Sequence, residues 1–189
     1  LKLEEYESGI VLPHEHTENS AKRDRFNLMT ACHTNFSHIM ALYRDEPGEL
    51  DHIFDKVSKD TPYIEFSTPE ESYELWPITH QKQIGTIQKV MSPMKLYIAD
   101  GHHRYETALS FHKQQTGNKS VRNSNEAHNF IMTYFVNLSD PGLMVYPYHR
   151  LLGNLTQHAI SSLWAAIKGH FTIESAYLGK GVNLKKVEK

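Results

Sequence analysis

The residues of this chain able to do chemistry fall into three short groups. The first is Asp100-Gly101-His102-His103-Arg104. An apolar run, Lys95 to Ala99, precedes it, and Ala108, Leu109 and Phe111 follow at spacings that would seat a helix on a core. This pattern predicts a strand, a sharp turn and a helix start. Asp100 is placed to cap the helix, accepting hydrogen bonds from free first-turn N–H groups. Gly101 lets the backbone turn and lets a ligand come close. His102, His103 and Arg104 then lie where the helix dipole favours an anion, so the segment suits a phosphate or carboxylate.

The second group is Pro13-His14-Glu15-His16-Thr17, on a polar loop just past a strand. In extended chain His14 and His16 point the same way and Glu15 points oppositely. That could be half of a metal site, or Glu15 could act as a general base. Taken alone, His-x-His is common by chance. The third is Tyr148-His149-Arg150 at a strand exit, where the planar fork of Arg150 could clamp a second anion. If the first two loops meet, His14, Glu15, His16, Asp100, His102, His103 and Arg104 would share one site, suited to an anionic substrate with a divalent metal. Mg²⁺ would take carboxylate and phosphate oxygens, whereas zinc or iron would take imidazoles. The chain has no glycine-rich P-loop, no nucleophile-elbow serine and no paired-cysteine zinc site.

The elements that must position these groups can be read in order. Ser8 to Leu12 reads as a strand stopped by Pro13. Lys22 to Thr34 reads as a helix with Phe26, Leu28, Met29 and Cys32 on one stripe. Its basic start, Lys22, Arg23 and Arg25, opposes the helix dipole and hints at an anion or acidic partner nearby. A strand is expected over His38 to Tyr43. A helix follows over Gly48 to Ser58, with Leu50, Ile53, Phe54 and Val57 inward. Tyr63 to Phe66 and Tyr73 to Ile78 are expected to pair as strands. A helix over Thr79 to Met91 would start on a Thr79 cap. The central strand–turn–helix runs to about Gln115. Thr116 to Asn129 is polar and aperiodic. Phe130 to Leu138 reads as a strand, Asp140-Pro141-Gly142 as a turn, and Leu143 to Tyr146 as the returning strand of a hairpin. Thr156 to Lys168 reads as a helix, with Ile160, Leu163, Trp164 and Ile167 inward, ending at Gly169. Phe171 to Glu174 opens a further strand. Strands and helices mix without strict alternation, so the expected fold class is α+β, a mixed sheet with flanking helices.

The 189 residues suit one sizeable domain, or a core plus an appendage. A net charge of −2 gives no reason to expect a broad nucleic-acid or membrane surface. Thirteen histidines are many. The single cysteine, Cys32, excludes an internal disulfide framework and fits a reducing cytoplasm; the helical reading makes it a buried, inert thiol. No apolar run is long enough to span a bilayer, and there is no signal-peptide pattern. The chain begins at Leu1 and ends in the charged Lys185-Lys186-Val187-Glu188-Lys189, so an excerpt of a longer protein is expected.

Tyr97-Ile98-Ala99-Asp100-Gly101-His102-His103-Arg104-Tyr105-Glu106-Thr107-Ala108-Leu109 resembles the hallmark of a bacterial and archaeal family known as domain of unknown function 1015. Val11 to Thr17 resembles its second hallmark. Lys22, Asp24 and Arg25, the run Asn35-Phe36-Ser37, and the segment from Asp140 to Leu151 resemble it too. The resemblance covers roughly Gly9 to Leu152. Glu18-Asn19-Ser20-Ala21 departs from the Pro-Gly turn usual in the family. Gly101-His102-His103-Arg104 is also similar, more distantly, to the Gly-x-x-Arg helix start of the ParB and sulfiredoxin superfamily, which binds nucleotide phosphates. That superfamily includes CTP-hydrolysing partition proteins, ATP-using sulfiredoxins and free-serine kinases. No cysteine stands beside the motif for sulfiredoxin chemistry, and no DNA-binding segment accompanies it.

These similarities imply a ParB/sulfiredoxin-like core over residues 1–152 and a C-terminal α/β extension starting at 153–189. They imply a cytoplasmic enzyme that binds a nucleotide (ATP, ADP or CTP, with Mg²⁺) and transfers phosphoryl to, or hydrolyses phosphate from, a small metabolite such as serine. Glu15, Asp100 and His103 would be catalytic. Gly101, His102, Arg104 and Arg150 would hold phosphate or another anion, and His14, His16, Lys22, Arg25 and His149 would complete the site. The rivals are a non-catalytic nucleotide- or metabolite-binding switch and a metal-dependent hydrolase built on His14 and His16.

Overall fold

The structure, a computed structural model, describes residues 1–117, 125–146 and 152–172. The chain divides into two compact units, Leu1–Met144 and Val145–Lys189.

The first unit is built on a four-stranded sheet. Its strands are β1 (Val11–Leu12), β2 (Ile39–Tyr43), β5 (Leu96–Asp100) and β6 (Thr133–Asn137), in the order β1-β5-β2-β6. β5 runs parallel to β1 and antiparallel to β2, and β2 runs parallel to β6. The expected mixed sheet is therefore present. Val11 faces Leu96 and Ala41 faces Ile98, with a register shift at Met40 and Ala41. The period-2 alternation of strands puts Ile39, Ala41 and Tyr43 inward. Tyr97 and Tyr134 stand exposed.

Five helices complete the described chain: α1 (Asn19–Cys32), α2 (Glu49–Val57), α3 (Gln81–Met91), α4 (His102–Thr116) and α5 (Gln157–Lys168). α4 supplies Tyr105, Ala108 and Leu109 to the main core, where they meet Val11, Ile39, Ile98 and Ile131. Their i, i+3, i+4 spacing makes one apolar stripe, and burying each large side chain is worth about 1.5–3 kcal/mol. A second cluster joins Tyr43, Leu50 and Leu96, with Ile53, Ile87 and Val90 packed on it. It holds α2 and α3 together at the other end of β2. Asp45 is buried, and its Oδ2 accepts the Leu50 N–H at 2.8 Å, fixing the start of α2. β3 (Ile64–Ser67) and β4 (Ser72–Leu75) form the expected antiparallel hairpin, with Phe66 stacked on Tyr73. Both strands are exposed throughout.

Several expectations are corrected. Residues Tyr6–Ser8 form a 3-10 turn, so the first strand shrinks to Val11–Leu12. α1 starts at Asn19, running through the departure at Glu18 to Ala21. Cys32 is exposed at the end of α1, because the packed stripe of that helix stops at Met29. Leu28 and Phe54 are exposed too. α3 begins at Gln81 with His80 at the cap position, so Thr79 stands one residue too early to cap it. Asp140-Pro141-Gly142 turns as expected, the Leu143 N–H reaching Asp140 O at 3.0 Å, but Leu143 to Tyr146 is not a strand. The strand expected over Phe130 to Leu138 narrows to Thr133–Asn137. In the second unit, Thr156 caps α5 by accepting the Ala159 N–H, Gly169 stands at its end, and Trp164 is exposed. The strand expected at Phe171 to Glu174 falls mostly outside the described residues.

Candidate functional site

The site begins where β5 ends. Asp100 is the last residue of β5, paired with Met40, so it cannot also occupy the cap of α4. Gly101 takes that position with φ +95°, a backbone that L side chains rarely adopt. A Cβ there would lie 2.8 Å from Ile39 Cγ2 and 3.1 Å from both Nε and Nη2 of Arg104. The expectation that Asp100 caps the helix is thus corrected. Its carboxylate instead pairs with Arg104 Nη2, one helical turn on.

Arg104 folds back over Gly101. Nη1 donates to Ser37 Oγ at 2.9 Å and to the carbonyl of His38. The guanidinium thereby ties the start of α4 to the loop that enters β2. Three of its five N–H donors are engaged by Asp100, Ser37 and His38. The first-turn amides of α4 lie beside it and have no partner within the helix.

The His-Glu-His loop meets this helix start. The His14 N–H donates to His102 Nε2 at 3.2 Å, and His14 Nδ1 bonds Ile98 O at 2.8 Å. The two rings pack edge to face at 4.5 Å. Because Nε2 accepts, the proton of neutral His102 sits on Nδ1. That atom stands 3.3 Å from Glu15 Oε2, though misaligned for a hydrogen bond. Strand alternation predicts Glu15 on the side away from His14; the bend at Glu15 turns its carboxylate toward His102 instead. His102 is 1% exposed, so its ring is a buried post rather than a side chain projecting into solvent. Burial pushes its pKa below the usual histidine value, and His14 adds to this, against the pull of Glu15, Glu106 and Asp100. His103 Nε2 accepts the Glu18 N–H at 3.1 Å.

A second tie lies one turn further along α4. Glu106 accepts from Thr17 Oγ1 at 2.5 Å and from Lys22 Nζ at 2.8 Å. Burial, the largest single influence, raises the Glu106 pKa, but the hydrogen bonds from Lys22 and Thr17 together with the charges of Lys22 and His103 outweigh it and hold the carboxyl below the usual range. Lys22 therefore has an acidic partner, which accounts for one of the misplaced cations at the start of α1. Tyr105 donates to Glu4 O at 2.7 Å, accepts the Glu4 N–H at 3.0 Å and stacks on Tyr6. Its own burial raises the phenol to about 12.

Of the residues read from sequence, His14, Glu15, Asp100, Gly101, His102, His103 and Arg104 thus lie around one turn. His16 is exposed on the loop. Arg25 lines a cavity with Arg104. His149 and Arg150 lie outside the described residues. Among the described residues, no three His, Cys, Asp or Glu side chains gather as metal ligands would. Sequence reasoning missed Glu106, Thr17 and Ser37 as positioning residues. Their partners are 67 to 89 positions away, beyond any local signal.

All 189 residues match the family described as "Protein of unknown function (DUF1015)". The chain belongs to that family, as its two hallmark segments suggested. No curated protein matches it, and no solved structure does.

Proposed function

We propose that this protein binds a nucleotide by its phosphates at the Gly101 turn and transfers or releases a phosphoryl group. The reading takes residues 1–152 as a ParB/sulfiredoxin-like core, with the C-terminal extension from residue 153 as an appendage. The observation that carries it is the Gly101 turn itself. The backbone is bare where a Cβ would not fit, first-turn amides are available, and an arginine guanidinium lies against it. An incoming phosphate oxygen competes with Asp100 for Nη2 of Arg104 and meets the amides of His102 and His103. Displaced from Arg104, Asp100 becomes an exposed carboxylate beside the phosphates. Glu15, 56% exposed and next to His102, stands across the turn to orient or deprotonate an acceptor hydroxyl such as that of serine. Asp100 and Glu15 supply the few carboxylate oxygens that Mg²⁺ arriving with a nucleotide needs, and the ion would neutralise phosphate charge.

One feature supports a switch as the second reading. Arg104 ties the start of α4 to Ser37 and His38, so a ligand that takes the guanidinium also releases that loop.

The test is calorimetric titration of the protein with ATP, ADP and CTP, with Mg²⁺, and of Arg104→Ala alongside. Binding of at least one nucleotide, lost or greatly weakened in the variant, is expected. No binding of any of the three ends the proposal. Phosphate release or phosphoserine formation on mixing with serine marks the enzyme; binding without product marks the switch.

A further inference from the structure

Next to the Gly101 turn a cavity opens between Leu28, Met29, Phe36, Ile131, Thr107 and Arg104. Its walls are mainly apolar, and no acidic side chain lines it among the described residues. Thr107 lies three residues after Arg104, hence on the same face of α4. It is 1% exposed, and its hydroxyl has no hydrogen-bond partner. A helical Ser or Thr can give its hydroxyl to solvent or to the carbonyl four residues back. Ser110 does so to Glu106 and Thr116 to His112, in this same helix. Thr107 does not, so the fold carries an unmet buried hydroxyl in a cavity wall beside an arginine.

The geometry points to this cavity as the subsite for the base of the nucleotide, an inference that rests on the phosphate site proposed above. The Phe36 ring is 60% exposed at the cavity edge and offers a stacking platform for a planar ring. Leu28, Met29 and Ile131 supply apolar contact. Thr107 is buried at the cavity wall, so its hydroxyl reaches a ring nitrogen or an exocyclic group of the base by rotating about the Cα–Cβ bond into the cavity, and so gains the partner it lacks. Arg104 belongs to both places: it lines the cavity and lies over Gly101, so a base in the cavity leads its phosphates to the turn. Thr107 also borders a hollow on the α1 side, with Asn19, Lys22, Arg23 and Ser110. Phe36 lines the first space and Arg23 the second, which separates the two by mutation.

The experiment titrates the full chain with Mg-ATP, Mg-CTP and Mg-tripolyphosphate, the last a phosphate chain without a base. Thr107→Val keeps the shape and removes the hydroxyl. It is expected to weaken at least one nucleotide about five- to tenfold, to leave tripolyphosphate unchanged, and not to lower the melting temperature. Phe36→Ala should weaken the nucleotide about tenfold or more with the same indifference to tripolyphosphate. Arg23→Ala should change neither. The inference is overturned if the Thr107 and Phe36 variants bind nucleotide as the parent does, or lose tripolyphosphate equally, or if Arg23→Ala has the larger effect. A parent protein that holds tripolyphosphate as tightly as nucleotide refutes the base subsite alone. One that holds neither refutes the phosphate site as well.

Discussion

Replacing Gly101 by alanine tests the turn that carries the functional reading. Two costs can be separated. A non-glycine residue held in the left-handed region costs roughly 1–2 kcal/mol. The added methyl would also lie 2.8 Å from Ile39 Cγ2. Ile39 is fully buried in β2 and its methyl branches at Cβ, so it cannot swing aside. Overpacking of this kind costs about 1–3 kcal/mol. Together Gly101→Ala should destabilise by roughly 2–5 kcal/mol, a large share of the 5–15 kcal/mol typical of a native protein. At roughly 2–4 °C per kcal/mol for a chain of this size, the melting temperature should fall by about 5–20 °C. Gly9→Ala is the control. Gly9 has φ +68° but nothing within 4 Å of its would-be Cβ, so it carries the backbone cost alone. Differential scanning calorimetry of both variants, with guanidinium unfolding as a cross-check, gives the two numbers. If Gly101→Ala loses no more stability than Gly9→Ala, the close approach of Ile39 and Arg104 to the turn is wrong, and with it the geometry of the proposed phosphate site.

Three further outcomes are expected. Tyr105→Phe removes both hydrogen bonds to the backbone of Glu4 while keeping the ring; chemical denaturation should show a loss of about 1–3 kcal/mol. Glu106, whose folded pKa is depressed, adds stability that is complete above its unfolded value near 4.5 and is lost as pH falls through the folded value. Glu106→Gln should therefore lie below the parent in melting temperature at pH 7, and the gap should close in acid. His102, also depressed but a base, makes the unfolded chain bind more protons below pH 6.5. Its contribution is full above that pH and falls away as the solution is acidified. His102→Gln, whose amide oxygen can still accept the His14 N–H, should flatten the melting-temperature profile as the pH falls below about 6.5; a parallel profile would refute this reading of the buried ring.

Local sequence carried much of the architecture. The run from Leu96 to Ala99, Gly101 and the spacing of Tyr105, Ala108 and Leu109 specify strand, turn and helix within a few residues, because period and turn chemistry are local properties. The same holds for the Ile64–Ser67 and Ser72–Leu75 hairpin and for the Thr156 cap. Where local chemistry offered two choices, it misled. Asp100 looks like a cap residue by type, but its place in the β5 ladder reserves it, and Gly101 alone can take the positive φ. Cys32 looks buried by helical period, but the period says which residues share a face and not how far along the helix that face is covered.

By itself, then, the sequence determined the mixed α+β character, the strand–glycine–helix turn and the types of side chain gathered near it, since each follows from short-range sterics and hydrophobic period. The tertiary structure alone decided what those side chains do. It buried His102 under the amide of His14, turned Glu15 toward it, gave Lys22 to Glu106, and folded Arg104 back onto Ser37 and His38. The choice of these partners was made by the sheet: the parallel pairing of β1 with β5 brings the loop after Leu12 to the start of α4, the antiparallel pairing of β2 with β5 brings Ser37 and His38 to Arg104, and no local rule encodes pairings 85 and 60 residues apart.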